Sequence, residues 1–291
     1  MYKIDDTLIY VEKLDAGYID KTTGKRNLIL KDINLIEYNV VREDHDSTGQ
    51  VIAFLGRSGR GKSTLFKVIT GLLKPFSGNI LINDVTSGVK DQSKLLCEGD
   101  VGFVNQKYTL FRHKTVLQIC EYAINRYKKK FFKENGTRTK EDWVNYKNET
   151  INHFLVDWGL INQKDKYPNE LSGGQRQRTA IIEQMLSNKH FMILDEPFSG
   201  LDVGNIEKVK ESFQRIGQEH EMNTIIFSTH DINLAVELAD SIYILGFPEG
   251  VTEYSTIVKH YDLKKMGIAW TPYGESHRNL EREIRELMLV S

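Results

Sequence analysis

The sequence predicts an α/β fold with a mainly parallel core sheet, and three observations carry that expectation. Short apolar runs recur at residues 51–55, 191–194, 224–228 and 242–245, each the length of a buried strand. Stretches with helical spacing separate them, the pattern of parallel strands joined by helical crossovers. Two of the runs end in residues of types suited to phosphate or metal, Gly56 and the pair Asp195-Glu196, at the strand ends where such sheets hold their chemistry. With 291 residues, 40% of them apolar, the chain has material for a sizeable core.

Residues 8–14 alternate apolar and polar side chains, and residues 28–37 (LILKDINLIE) do so less strictly, predicting two half-buried strands. The piece between them, 15–26, is rich in turn residues and contains Tyr18. Charged residues 42–46 followed by Ser47-Thr48-Gly49 predict a polar hairpin loop before the buried strand 51–55. From Ser63 the pattern STLFKVITGLL is helical, so the glycine-rich segment lies in a strand-loop-helix unit. A turn at 74–78 precedes a strand at 79–82, and a strand at 101–104 delivers Gln106. Residues 115–163 are helical and highly charged, interrupted at Glu134-Asn135-Gly136-Thr137, and predict a helical subdomain of roughly 112–187 inserted into the core. Its run Lys128-Lys129-Lys130-Phe131-Phe132-Lys133 reads as a solvated helix face with one aromatic turned inward. A Ser-Gly-Gly turn starts the helix 175–187. The strand 191–194 ends in Asp195-Glu196-Pro197, the strand 224–228 at Thr229-His230-Asp231, and 242–245 is the last core strand. The main domain thus covers 1–250, and 251–291 form a C-terminal helical appendix with Leu280, Ile284, Leu287 and Met288 on one apolar face.

Lys plus Arg (39) nearly balance Asp plus Glu (40), so no overall field points to nucleic acid or an anionic membrane as partner. Cys97 and Cys120 are too few for a disulfide framework and fit a reducing compartment. No basic start leads into an apolar run at the N-terminus, and no apolar stretch approaches the roughly 20 residues of a membrane span. A chain soluble by itself is expected.

The segment Gly56-Arg57-Ser58-Gly59-Arg60-Gly61-Lys62-Ser63-Thr64 fits GxxxxGKS between a strand and a helix. Its backbone N–H groups can wrap phosphates, Lys62 can reach the β- and γ-phosphates, and Ser63 can ligate Mg²⁺. Asp195, leaving an apolar strand, is placed to hold the metal; Glu196 projects differently and can orient a water as general base. A second anion-binding helix start lies at Leu171-Ser172-Gly173-Gly174-Gln175.

Taken in order, these residues resemble the ATP-binding subunits of ABC transporters. The segment 56–64 resembles the family's Walker A loop, Gln106 its Q-loop glutamine, 171–175 its signature, 191–196 its Walker B strand, Ser199-Gly200-Leu201-Asp202 its D-loop and His230 its switch histidine. The resemblance implies ATP and Mg²⁺ as ligands and a head-to-tail dimer of two copies. In it Ser172, Gly173, Gly174 and Gln175 of one chain, with Asp202 nearby, close over the phosphates held by the other. It implies further that His230 contacts the γ-phosphate, that Gln106 senses Mg²⁺ and the attacking water, and that Tyr18 stacks on adenine. Arg57 and Arg60 depart from the residues common at those Walker A positions, and Ile182-Glu183-Gln184 replaces the usual Ala-Arg-Ala.

Leu110-Phe111-Arg112-His113-Lys114-Thr115-Val116 and Glu196-Pro197-Phe198-Ser199 resemble importer-type members of the family. This implies transmembrane permease subunits as partners, with Tyr108, Leu110 and Phe111 as contacts, a solute-binding protein beside them, and a cytoplasmic position on the inner face of the membrane. The alternative is an ATP-dependent clamp or switch on nucleic acid or ribosomes. Repair-type heads split the motifs around a long coiled coil, and translation-type chains carry each motif twice; this chain shows neither pattern, so no direct nucleic-acid contact is expected.

Overall fold

In the computed structural model, residues 2–42, 49–83, 93–134, 136–187, 190–219 and 222–290 are described. The polar loop expected at 42–49 falls mostly outside them, as does Asn135. The chain opens on a long antiparallel hairpin of β1 (Tyr2–Ile19) and β2 (Arg26–Arg42). After β3 (Gln50–Leu55) and α1 (Lys62–Ile69), the strands β4 (Ser77–Asn83) and β5 (Ser93–Leu95) extend that hairpin to a sheet of order β2-β1-β4-β5. The core sheet adds β6 (Gly102–Val104), β7 (Phe191–Leu194), β8 (Thr224–Thr229), β9 (Ser241–Gly246) and β10 (Thr256–Asp262) in the order β10-β9-β3-β8-β7-β6. All its pairings are parallel except β9 with β10.

Strand β3 explains how the layers assemble. Successive side chains leave a strand on opposite faces, so Ile52 and Phe54 pack toward α1 and the hairpin while Ala53 and Leu55 pack among the helices on the other side. Phe54 meets Phe66 edge-on at 5.7 Å and stacks on Tyr243 at 5.3 Å, contacts each worth about 0.5–1.5 kcal/mol beyond area burial.

On the helical side lie α2 (Val116–Ile124), α3 (Lys128–Glu134), α4 (Lys140–Asp157), α5 (Gly173–Leu186), α6 (Val203–Glu219), α7 (Ile232–Leu238) and α8 (Glu275–Val290). Helices α2, α4 and α5 each start on a capping box, from Thr115/Gln118, Thr139/Asp142 and Ser172/Gln175, which satisfies first-turn N–H groups locally. In the lysine run Phe131 is buried against Trp143 and Tyr146, while Lys128, Lys129 and Lys133 are exposed. Cys97 is exposed; Cys120 is buried, which pushes its thiol up to about 12.

Two expectations need correction. Tyr18 lies in β1, not in a turn, because pairing of residues 16–19 with 26–30 of β2 continues the ladder past the turn-rich composition. The turn itself is confined to residues 20–25, where Asp20 Oδ1 accepts from the N–H groups of Thr22 and Thr23. Strand β9 is not the last of the core sheet either. The segment after Gly250 contributes β10 as an antiparallel edge strand before it turns helical, and Leu280 and Ile284 of α8 are buried in the main core.

Candidate functional site

The loop after β3 is shaped by glycines. A Cβ on Gly56 would sit 2.6 Å from the Leu245 carbonyl oxygen, and Gly61 has φ +84 with Leu30 Cδ2 2.8 Å from where its Cβ would be. Gly61 is also the N-cap of α1 and offers no side-chain cap, so the first-turn N–H groups of that helix stay open to an anion. Lys62 Nζ donates to the carbonyls of Gly56 (2.6 Å) and Arg57 (3.4 Å) and lies 3.9 Å from Glu196 Oε1. Burial lowers its pKa, against the opposing pull of Glu196 and Asp195. The Arg60 guanidinium lies 3.7 Å over the Phe247 ring and braces the flank of the loop.

Opposite stand the ends of β7 and β8. Glu196 Oε2 is 3.0 Å from His230 Nδ1. Gln106 Nε2 donates to Ser199 Oγ at 3.4 Å. A cavity of about 510 Å³ is lined by Ser58, Gly59, Arg60, Gly61, Lys62, Ser63 and Thr64 on one side and by Gln106, Glu196, Ser199 and His230 on the other. Asp195 is not among the residues lining it and accepts from the Ser228 hydroxyl, and Tyr18 stands beside α1 with its hydroxyl 3.4 Å from Thr64 Oγ1.

The residues Ser172, Gly173, Gly174 and Gln175 are not among those lining this cavity. Ser172 is exposed at the start of α5, its Oγ accepting from the Gln175 N–H (3.3 Å) while the Ser172 N–H donates to Gln175 Oε1 (2.9 Å). Nothing lies within 4 Å of where a Cβ on Gly173 would be. Asp202, just before α6, is exposed. Of the contacts expected for a membrane partner, Leu110 is buried in the core and not available, because its side chain joins Val104 and Val116 under the helices. Phe111 is exposed and meets the exposed Tyr122 edge-on at 5.0 Å, a neighbour that only the folded chain reveals.

Sequence reasoning missed two further residues. Gln177, fully buried in α5, donates through Nε2 to the Pro197 carbonyl at 2.8 Å, and the Tyr108 hydroxyl reaches the same oxygen at 3.4 Å. The signature helix and the segment after Gln106 thus meet one residue beyond Glu196. Ser228 touches both Asp195 and Glu196. It lies near the end of β8, two residues before His230, and no spacing in the sequence signals its bonds to residues 32 and 33 positions away.

Among the described residues no cluster of three or more His, Cys, Asp or Glu side chains is arranged to hold a metal. The Ser63 hydroxyl, the single carboxylate of Asp195 and the Gln106 amide beside a phosphate-ready loop fit Mg²⁺, which is usually bound through one or two carboxylates with phosphate and water filling its shell. No helix among the described residues is long and apolar enough to cross a membrane.

Residues 46–199 match the family model described as ABC transporter. The sulfate/thiosulfate import ATP-binding protein of Pectobacterium atrosepticum is 35% identical over 83% of this chain and 69% of its own length. The nitrate import ATP-binding protein of Synechocystis is 33% identical over 89% of this chain and 85% of its own. The solved structure of cbiO1 from Clostridium perfringens, part of the ABC transporter complex cbiONQ, superposes with a TM-score of 0.65 at 26% identity, covering 91% of this chain and 92% of that one. A phosphate-ready loop facing a carboxylate and a histidine across one cavity is the arrangement of an ATPase, and the chain belongs to the ABC transporter family as one of its ATP-hydrolysing subunits.

Proposed function

We propose that this chain is the motor of a solute importer, working as a head-to-tail pair of identical copies whose closure around two ATP molecules drives separate permease subunits in the membrane. One observation carries the reading. Lys62, Gln106, Glu196 and His230 line one cavity, whereas Ser172 to Gln175 at the start of α5 are not among its lining residues and Ser172 is exposed. A second copy brings that helix start over the γ-phosphate and completes the site.

In the closed pair the N–H groups of 58–63 and the Lys62 ammonium hold the β- and γ-phosphates. Ser63, Asp195 and Gln106 would hold Mg²⁺, which when bound neutralises charge on the phosphate oxygens. Glu196 orients the attacking water and accepts its proton, and its 3.0 Å contact with His230 Nδ1 keeps the carboxylate turned toward the cavity. Tyr18, 40% exposed beside α1, offers its ring to adenine. The exposed pair of Phe111, five residues beyond Gln106, and Tyr122 would receive a permease segment, with the chain on the inner face of the membrane. Import is the direction the two relatives' names carry, and a solute-binding protein would deliver the cargo.

Glu196→Gln tests the core of this. Hydrolysis should fall by roughly 10²–10⁴-fold with ATP binding intact, and size exclusion with ATP should show a trapped dimer. Hydrolysis near the parent rate would remove Glu196 as the base, and a monomer at every ATP concentration would remove the shared site.

A further inference from the structure

Two groups of the hydrolytic site converge on one hydroxyl that the steps above do not use. Ser228 is fully buried near the end of β8. Its Oγ donates to Asp195 Oδ1 at 2.7 Å and accepts from the Glu196 N–H at 2.9 Å. The parallel register explains the meeting. Leu194 lies opposite Phe227, so the residues that follow on each strand leave the sheet side by side.

Glu196 has φ +52, in the left-handed region where a side chain other than glycine's costs about 1 kcal/mol or more and persists only when its surroundings hold it there. The amide that sets this φ is the one bonded to Ser228. Below it, Ser199 N–H donates to the Glu196 carbonyl at 3.1 Å, so the left-handed residue is tied on both sides.

We propose that Ser228 is a positioning residue for hydrolysis: its hydroxyl orients the Asp195 carboxylate and holds the left-handed backbone of Glu196 at the same time. A serine hydroxyl has one proton to give and lone pairs to accept with, and here both capacities serve the site. The donated bond goes to a carboxylate and is charge-assisted, which leaves Oδ2 of Asp195 as the oxygen available to other partners. The accepted bond fixes the direction in which the Glu196 side chain leaves the chain, toward His230 and Lys62. Ser228 sits two residues before His230, so a shift of the end of β8 moves His230 and this pair of acids together. The inference rests on the roles proposed above for Asp195 and Glu196.

Ser228→Thr and Ser228→Val have nearly the same shape and differ in the hydroxyl. The valine variant should lower kcat by about 10–100-fold, the usual cost of losing a group that orients a metal-site ligand, with KM for ATP and nucleotide affinity without Mg²⁺ changed less than twofold. Independently of turnover, hydrogen–deuterium exchange at the Glu196 amide should speed up at least tenfold in the valine variant and stay at the parent rate in the threonine variant. Equal kcat and equal exchange in the two variants would overturn the proposal, as would equal slowing of both, which would make volume the cause. If valine prevents folding, Ser228→Ala removes the same hydroxyl, and an unchanged Glu196 amide again overturns it. The exchange readout needs no hydrolysis, so it separates failure of this inference from failure of Glu196 as the base.

Discussion

The N-termini of α1 and α5 obey the same electrostatics and are finished in opposite ways. Helix α1 starts on a left-handed glycine with no side-chain cap, under a loop walled by β3 and faced by Glu196 and His230. Helix α5 starts on a serine that caps it through a reciprocal bond with Gln175, with open space above Gly173. A capped helix start needs no ligand to be stable, whereas an uncapped one under a cage of polar groups is built to receive one. The difference separates a helix start enclosed by polar groups of its own chain from one open to approach from outside, the contrast that the proposed pairing of two copies needs.

Ser172→Arg tests that distinction most severely. A bulky cation at the start of α5 should cut hydrolysis by about 100-fold, the scale of losing a donor to developing charge, while ATP affinity of the same chain stays put. An equal loss of affinity, measured by calorimetric titration, would mean that α5 serves its own nucleotide and the comparison collapses. Lys62→Ala should do the converse. Removing a hydrogen bond to a charged group, worth about 1.5–3 kcal/mol, weakens ATP binding by roughly 10–100-fold. If affinity held while only turnover fell, Lys62 would not be the phosphate anchor.

The smallest effect lies in the body of α5. Burial pushes Glu183 up to about 7 from its ordinary value of 4.5, with the Arg126 charge opposing the shift. Between these two values the folded chain binds more protons than the unfolded one, so stability should fall as pH rises through that window and level off above it. Glu183→Gln should abolish the slope and raise the melting temperature at pH 8 by a few degrees, for a burial cost of up to about 3 kcal/mol. Parallel melting curves against pH for parent and variant would show that Glu183 does not carry the effect. A slope lost in the variant would instead make Glu183, in place of the usual arginine, a pH-dependent element of the helix that presents the signature.

The sites differ in how far they can be read in advance. Gly56, Gly61, Lys62 and Ser63 stand at fixed spacing within one loop, because a backbone that wraps a phosphate needs glycines and a lysine at set offsets. The capping box of Ser172 and Gln175 is local in the same way, and so are the apolar runs that became β3, β7, β8 and β9. What was not legible depends on partners far away in the chain. Tyr18 belongs to a strand because β2 pairs with it, and residues 256–262 join the core sheet because β9 offers them an edge. Leu110 follows the segment that resembles an importer's contact surface, yet packing draws it inward and leaves Phe111 with Tyr122 outside. Gln177 and Ser228 matter through a carbonyl and a carboxylate 20 and 33 residues distant, for which no spacing rule exists.

By itself, then, the sequence determined the family, the α/β plan and the chemical identity of the phosphate loop, since those rest on periodicity and on short-range backbone geometry. Only the tertiary structure decided which groups share a cavity: that Glu196 turns left-handed toward His230, that one serine serves two acids, and that the signature helix start lies outside the site of its own chain. The reason is physical. Local conformation is set by interactions a few residues apart, while the directions of side chains at strand ends are set by register and packing between segments that meet only when the sheet closes.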